Sequence, residues 1–289
     1  MFGLEYLFGK LFGSGESKAS PAPNAKGWFV GFGLNAVDPA QYGGWDGKLV
    51  ACHNDVKALK SALATGPRWT AEIILDKDAT SKRAASTFRQ LADLVEPGDL
   101  VVIAASGHGG QILDVTGDEP DRKDETWVLW DMEVPDDVVN TWLSWFRPGV
   151  RVLLIRDTCH SATIARAAFS ADAAQRLRPK SVPVQFREAA AIAQEDRLYI
   201  LRDAYKPAII QANVLTLAAC KDSEVAYDGD QHGRFTGALL RSLQTNPASY
   251  EAWLKDAQKL CRPLQTPQLV QDGPIKPTKA LAKQKPFTL

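Results

Sequence analysis

The chain has 289 residues with 34 basic and 34 acidic side chains, so its formal net charge is zero. That length fits one large domain or two small ones, and a hydrophobic content of 45% supplies a substantial core. A neutral balance argues against nucleic acid as the main partner, because phosphate binding needs a basic face. No apolar run reaches the length of a membrane span.

Residues 1–26 read as an N-terminal tail and linker. Phe2, Leu4, Leu7, Phe8, Leu11 and Phe12 are apolar, but Glu5 and Lys10 interrupt them, which is not the pattern of a secretory signal. A poorly ordered tail, a tail that docks on a groove and a membrane-surface helix all remain open for it. A first strand is predicted at 28–33 ("WFVGFG"), followed by a turn-rich loop over 35–48. Val56, Leu59 and Leu63 have helical spacing, which predicts a helix over 54–63 with Asn54 as its cap. A second strand is expected at 72–75. A helix over 81–95 follows, capped by Ser81 and stopped by Pro97-Gly98. The third strand is 99–105, a helix runs from about 135 to 146, and the fourth strand is 150–155. A further strand at 214–219 precedes helices at 235–243 and 250–260. Strands alternating with helices predict a mostly parallel sheet sandwiched by helices. Residues 166–213 break the alternation and read as a long connector.

Two of these strands end in chemistry. The third closes on "SGHGG" (Ser106 to Gly110) and the fourth on "DTCHS" (Asp157 to Ser161). Open α/β sheets build sites at the carboxyl ends of their strands. If the two strands are neighbours, His108 and Cys159 converge. A thiol with an ordinary pKa is only about 3% thiolate at pH 7, and a nearby imidazole remedies that and later protonates a leaving amine. The N–H groups of Gly109 and Cys159 would then stabilise an oxyanion. Each part has a plainer reading. A cysteine at a strand end is most often a small buried hydrophobe, and glycine-rich turns also hold phosphates. The phosphate-loop alternative lacks the Lys-Ser/Thr ending and the dinucleotide glycine spacing.

With these motifs the chain resembles the caspase-like cysteine peptidases (peptidase C14 type), in particular the metacaspase and bacterial orthocaspase branch. The interval of 51 residues from His108 to Cys159 agrees with the separation of about 50 familiar in caspases. The stretches "KGWFVGFGLNAVD", "LVACHNDVKAL" and "LAACKDSEVAYDGDQHGRFTGALLRSL" carry the resemblance over residues 26–273. It implies an α/β caspase-hemoglobinase fold. The peptidase domain would cover 27–273, with a large-subunit part at 27–165, an intersubunit-type loop at 166–213 and a small-subunit part at 214–273. Residues 274–289 would form a C-terminal tail.

The resemblance further implies peptide-bond hydrolysis through a thioester on Cys159, with His108 as acid and base. It implies an acidic pocket for Arg or Lys before the cut bond, walled by Asp55, Cys52 and Ser106. Asp157 and Asp222 are further candidates for that pocket. Two carboxylates would favour a cation and repel an acidic side chain. The expected partners are proteins or peptides cut after Arg or Lys. An enzyme of that specificity could process itself at Arg176, Arg178, Lys180, Arg187, Arg197 or Arg202, and activation by another protease is equally open. No cofactor is expected to be required. Calcium is the one candidate ligand, through Asp136 and Asp137, but Arg166 stands where an acidic ligand is expected. The cysteines, Cys52, Cys159, Cys220 and Cys261, lack metal or disulfide-framework spacing and fit a reducing cytoplasm. The competing class is a caspase-like interaction module with little proteolytic activity.

Overall fold

A computed structural model describes residues 24–113, 123–159, 178–204, 209–221, 224–273 and 281–289, with the backbone alone over 199–204 and at 272. Six strands form the main sheet: β1 (Gly27–Gly33), β2 (Trp69–Leu75), β3 (Leu100–Ser106), β7 (Arg151–Asp157), β9 (Asn213–Ala218) and β11 (Gln268–Asp272). Their spatial order is β2-β1-β3-β7-β9-β11. All neighbours run parallel except the β9–β11 pair. The central strands are continuous apolar runs because both faces are covered. Along β3, Leu100, Val102 and Ala104 face one core, whereas Val101 and Ile103 face the other, as a two-residue repeat demands.

Helices α1 (Cys52–Leu63), α5 (Arg234–Leu243) and α6 (Tyr250–Cys261) supply Val56, Leu59, Phe235, Leu239 and Trp253 to the first core. Helices α2 (Ser81–Leu94) and α3 (Asp136–Leu143) supply Phe88, Leu91, Val139 and Trp142 to the second. The sheet is therefore sandwiched, as expected. Two caps differ from the reading of the sequence. Thr80, not Ser81, caps α2 by accepting from Arg83 N. Helix α1 starts at Cys52 because the remote Asn35 Oδ1 accepts from Cys52 N at 2.9 Å, leaving Asn54 inside the helix.

Several elements were not foreseen, among them the antiparallel edge strand β11. A small antiparallel sheet, β4 (Gly109–Leu113), β5 (Lys123–Val128) and β6 (Glu133–Pro135), stands between β3 and α3. Residues 178–204 are not a plain connector: β8 (Arg178–Pro179) pairs with β10 (Tyr227–Asp228), and α4 (Val184–Ala204) follows. The last residues are no loose tail. Leu281 and Ala282 are buried in the first core, and Arg151 Nη1 donates to Thr288 O at 2.7 Å.

Candidate functional site

In the order β2-β1-β3-β7-β9, winding reverses between β1 and β3, and the crevice at such a reversal lies at the carboxyl ends of the strands. Strands β3 and β7 are neighbours, with Ser106 opposite Asp157. His108 and Cys159 each lie two residues beyond that matched pair, at one corner of the sheet. Gly109 is there because nothing larger fits: a Cβ would come within 2.1 Å of Cys159 O.

His108 is buried, and its Nε2 lies 2.9 Å from Gly47 O. A carbonyl only accepts, so Nε2 carries the proton and Nδ1 keeps the lone pair. Nδ1 is buried without a hydrogen-bond partner among the described residues. Burial, above all, lowers the His108 pKa to about 4; the Gly47 bond opposes this and Lys180 adds to it. The ring is therefore a neutral base at physiological pH. The Cys159 thiol is fully buried and donates to Glu224 O at 3.1 Å. The two groups share a corner, but no hydrogen bond joins thiol to Nδ1.

Beside them is an acidic chamber. Asp55 sits in the first turn of α1, Asp157 ends β7, Ser106 ends β3 and Cys52 opens α1; all four are buried. The structure brings them together around Lys180 Nζ, which lies 3.2 Å from Asp157 Oδ1, 3.4 Å from Asp55 Oδ2 and 3.0 Å from Ser106 Oγ. Lys180 itself is 0% exposed. Its burial opposes the charge, but Asp157, Cys52, Asp55 and Asp228 overcome this and raise its pKa above the ordinary lysine range. Burial works against the Asp55 charge too, yet Lys180, His232, Ser106 and Gly233 N outweigh it and hold that carboxyl low. Asp157 is pushed up by burial. It also accepts from Thr236 N at 3.0 Å and Thr236 Oγ1 at 2.7 Å.

The backbone around Lys180 is held as firmly as the side chain. Lys180 N donates to Ala226 O at 2.9 Å, Gly109 N donates to Lys180 O at 3.0 Å, and Val182 N donates to Gly109 O at 3.0 Å. Residues 178–182 thus form an extended strand threaded between β10 and Gly109, with one basic side chain dropped into the acidic chamber.

Several participants escaped the sequence reading. Asp228 Oδ2 accepts from Val50 N at 2.8 Å and adds a third acid to the chamber. His232 Nδ1 lies 3.1 Å from Asp55 Oδ1, and Gly233 N donates to the same oxygen at 3.0 Å. Gly47 orients His108. The stretch "AYDGDQHG", in which acids and a histidine follow a short apolar run, was the signal available for the first three.

Other candidates lie elsewhere. Asp222 and Arg176 fall outside the described residues, and of Arg202 only the backbone on α4 is described. Arg178 stands 3.8 Å from Asp230. Arg187 and Arg197 are on α4, where Arg187 Nε donates to Val182 O and Arg197 pairs with Gln41. Asp136 and Asp137 open α3. Burial pushes Asp136 up to about 6, with Arg156 opposing. Among the described residues, the donors that converge closely enough for a metal are instead Cys52, Asp55 and Asp228. A soft thiol beside an ammonium group does not suit calcium, which takes oxygen ligands.

The stretch that holds His108 and Cys159 is similar to known proteins. A family profile described as metacaspase, peptidase C14 domain matches residues 40–167. Metacaspase-1A of Neurospora crassa is 34% identical over 137 residues, covering 43% of this chain and 30% of the relative. Metacaspase-1 of Cryptococcus neoformans is 26% identical over 235 residues, covering 68% and 51%. The chain thus spans about half or less of these relatives. A solved protein of Geobacter sulfurreducens superposes with a TM-score of 0.80 at 34% identity, covering 91% of this chain and 98% of that one. With an imidazole and a thiol at adjacent strand ends, the chain is similar to the metacaspase type of C14 peptidase across residues 40–167, the stretch that holds both groups.

Proposed function

We propose that this protein is a cysteine endopeptidase that cuts after Arg or Lys, and that residues 178–182 are held in its groove as a built-in substrate. The observation that carries this reading is Lys180 buried among Asp55, Asp157 and Ser106. A pocket that already satisfies one buried ammonium is built for a cation. A charge-assisted hydrogen bond is worth roughly 1.5–3 kcal/mol, which corresponds to about a 10- to 150-fold preference.

The chemistry follows from the same contacts. His108 Nδ1 takes the Cys159 proton, and Sγ attacks the carbonyl carbon that follows the basic side chain. Gly109 N–H, aimed at the Lys180 carbonyl oxygen, takes the developing negative charge. The C–N bond breaks as His108 protonates the leaving amine, and water then hydrolyses the thioester.

This arrangement singles out Lys180–Ser181 among the processing candidates. Peptidases of this kind bind an extended strand by backbone pairing; residues 178–182 are extended, whereas Arg187 and Arg197 are helical. The thiol donates to Glu224 O and His108 Nδ1 has no hydrogen-bond partner among the described residues, which fits a bond that is held but not yet cut.

Fluorogenic peptides ending in Arg, Lys or Asp test the specificity. Arg and Lys substrates are expected to be cleaved, with no turnover by C159A or H108A. A preference for Asp sinks the reading. Mass analysis of the active preparation should reveal a fragment beginning at Ser181, absent from C159A and K180A. If C159A is cut there as well, self-cleavage is excluded and a second protease is responsible.

A further inference from the structure

The proposed mechanism leaves Cys220 unused, although it sits beside the nucleophile. Both thiols converge on one acceptor: Cys159 Sγ donates to Glu224 O at 3.1 Å and Cys220 Sγ lies 3.5 Å from the same oxygen. The Cys220 thiol is also within hydrogen-bonding reach of Cys159. The backbone places them alike. Strands β7 and β9 are parallel neighbours with Arg156 opposite Ala218, so Cys159 and Cys220 lie three and two residues past a matched pair. Adjacent strands are about 4.8 Å apart, inside the Cα separation of roughly 4.4–6.8 Å that a disulfide spans. All four cysteines are free thiols in the structure. Cys52 faces the acidic chamber, and Cys261, at the end of α6, has its Sγ 3.9 Å from Arg234 O on α5, so each of the others has surroundings of its own.

We infer that Cys159 and Cys220 form a reversible redox pair, in which a hydroperoxide converts the nucleophile into a disulfide with its neighbour. The Cys159 thiolate attacks one peroxide oxygen, the O–O bond breaks, and Cys159 becomes a sulfenic acid while hydroxide leaves and takes the thiol's proton as water. The Cys220 sulfur then attacks the sulfenic sulfur. The S–O bond breaks and the hydroxyl departs with the Cys220 proton as a second water. Two thiols and one hydrogen peroxide give one disulfide and two waters; the sulfurs are oxidised and the peroxide oxygens reduced. Without an adjacent thiol, a sulfenic acid proceeds to sulfinic acid, which ordinary thiols do not reverse. Cys220 would therefore silence the nucleophile and protect it at once. Both sulfurs are at most a few per cent exposed with residues 178–182 seated. The displacement that admits a substrate would also admit peroxide, so the processed form is the more sensitive one.

The pairing itself does not depend on the peptidase reading; only its consequence for activity does. The test is to treat the full chain with hydrogen peroxide, block remaining thiols and map cysteine-containing peptides by mass without reduction. A linked Cys159–Cys220 peptide pair is expected, lost on dithiothreitol. In parallel, Arg-peptide cleavage should fall to background and return to its starting level with dithiothreitol. In C220S the loss should persist, and Cys159 should carry sulfinic acid. Wild-type Cys159 reaching sulfinic acid unlinked, a bond from Cys159 to Cys52 or Cys261, or recovery of C220S like wild type would each overturn the inference. If no peptide is cleaved at all, the peptidase reading fails while the mass map still decides the pairing.

Discussion

Gly233 shows how a single hydrogen atom can define a pocket. A Cβ there would lie 2.3 Å from Asp157 Oδ2, 2.5 Å from Lys180 Nζ and 2.9 Å from Asp55 Oδ2, in the space the ammonium occupies. Gly233→Ala is expected to evict Lys180 and to lower kcat/KM for Arg and Lys peptides by roughly 100-fold, since the pocket's charge-assisted contacts are lost. Steady-state kinetics on the variant measure this, and unchanged turnover would mean that the cation binds elsewhere. His108 carries a second expectation. Its folded pKa of about 4 lies below the ordinary imidazole value of about 6.5. Between those values the unfolded chain holds the proton and the folded chain does not. Its contribution is thus complete above about pH 6.5 and is lost as pH falls towards 4, by on the order of 3 kcal/mol. Denaturant midpoints at pH 7 and pH 4.5 should show a smaller drop in H108Q than in wild type. The difference between the two proteins matters because Glu133, pushed up to about 7 by burial, acts in the opposite direction in both.

Elements with a strong period were legible in the sequence, and the others failed for physical reasons. Helices α2, α5 and α6 put Phe88, Phe235 and Trp253 on stripes that pack into the cores, and β3 and β7 are apolar because both their faces are covered. Trp253 is fully buried, donates from Nε1 to Leu239 O at 2.9 Å and packs edge-on against Phe287. Trp253→Ala should cost about 3–5 kcal/mol, read as a fall in the urea midpoint. Helix α4 lacked such a stripe. It leaves Val184 and Ile192 exposed and buries only residues such as Ala190 and Gln194, so its sequence resembled a polar connector. Strand β4 begins in two glycines, and β5 and β6 mix charge with apolar residues. The candidate site divides the same way. Local motifs named His108, Cys159 and Asp157, and resemblance supplied Asp55, Cys52 and Ser106. The role of Lys180 depends on a contact with Asp55 across 125 positions, which no local pattern encodes.

At the scale of the whole molecule, the site rests on a sheet whose opposite end is fastened by the last residues of the chain. Arg151 begins β7, the strand that ends in Asp157 and leads to Cys159. Its guanidinium is buried and donates to Gly98 O, Gln284 Oε1 and Thr288 O. Leu281 is buried against the first core, Tyr250 N donates to Gln284 O, and Phe287 N donates to the Tyr250 hydroxyl. Removing residues 274–289 would expose the surface that buried Leu281 and half-buried Phe287 cover; full burial of such a side chain is worth roughly 1.5–3 kcal/mol and half-burial about half of that. It would also leave Arg151 with the Gly98 carbonyl as its remaining acceptor among these three; a hydrogen bond to a charged group is worth roughly 1.5–3 kcal/mol. These losses total at least about 4 kcal/mol, a large share of the 5–15 kcal/mol that separates typical folded and unfolded domains. A chain ending at Gly273 should therefore unfold at a markedly lower urea concentration than the full chain. Because β7 carries the nucleophile, it should also lose peptide cleavage well below its own melting temperature. Equal midpoints for the two proteins would show that the end of the chain covers the sheet without supporting it.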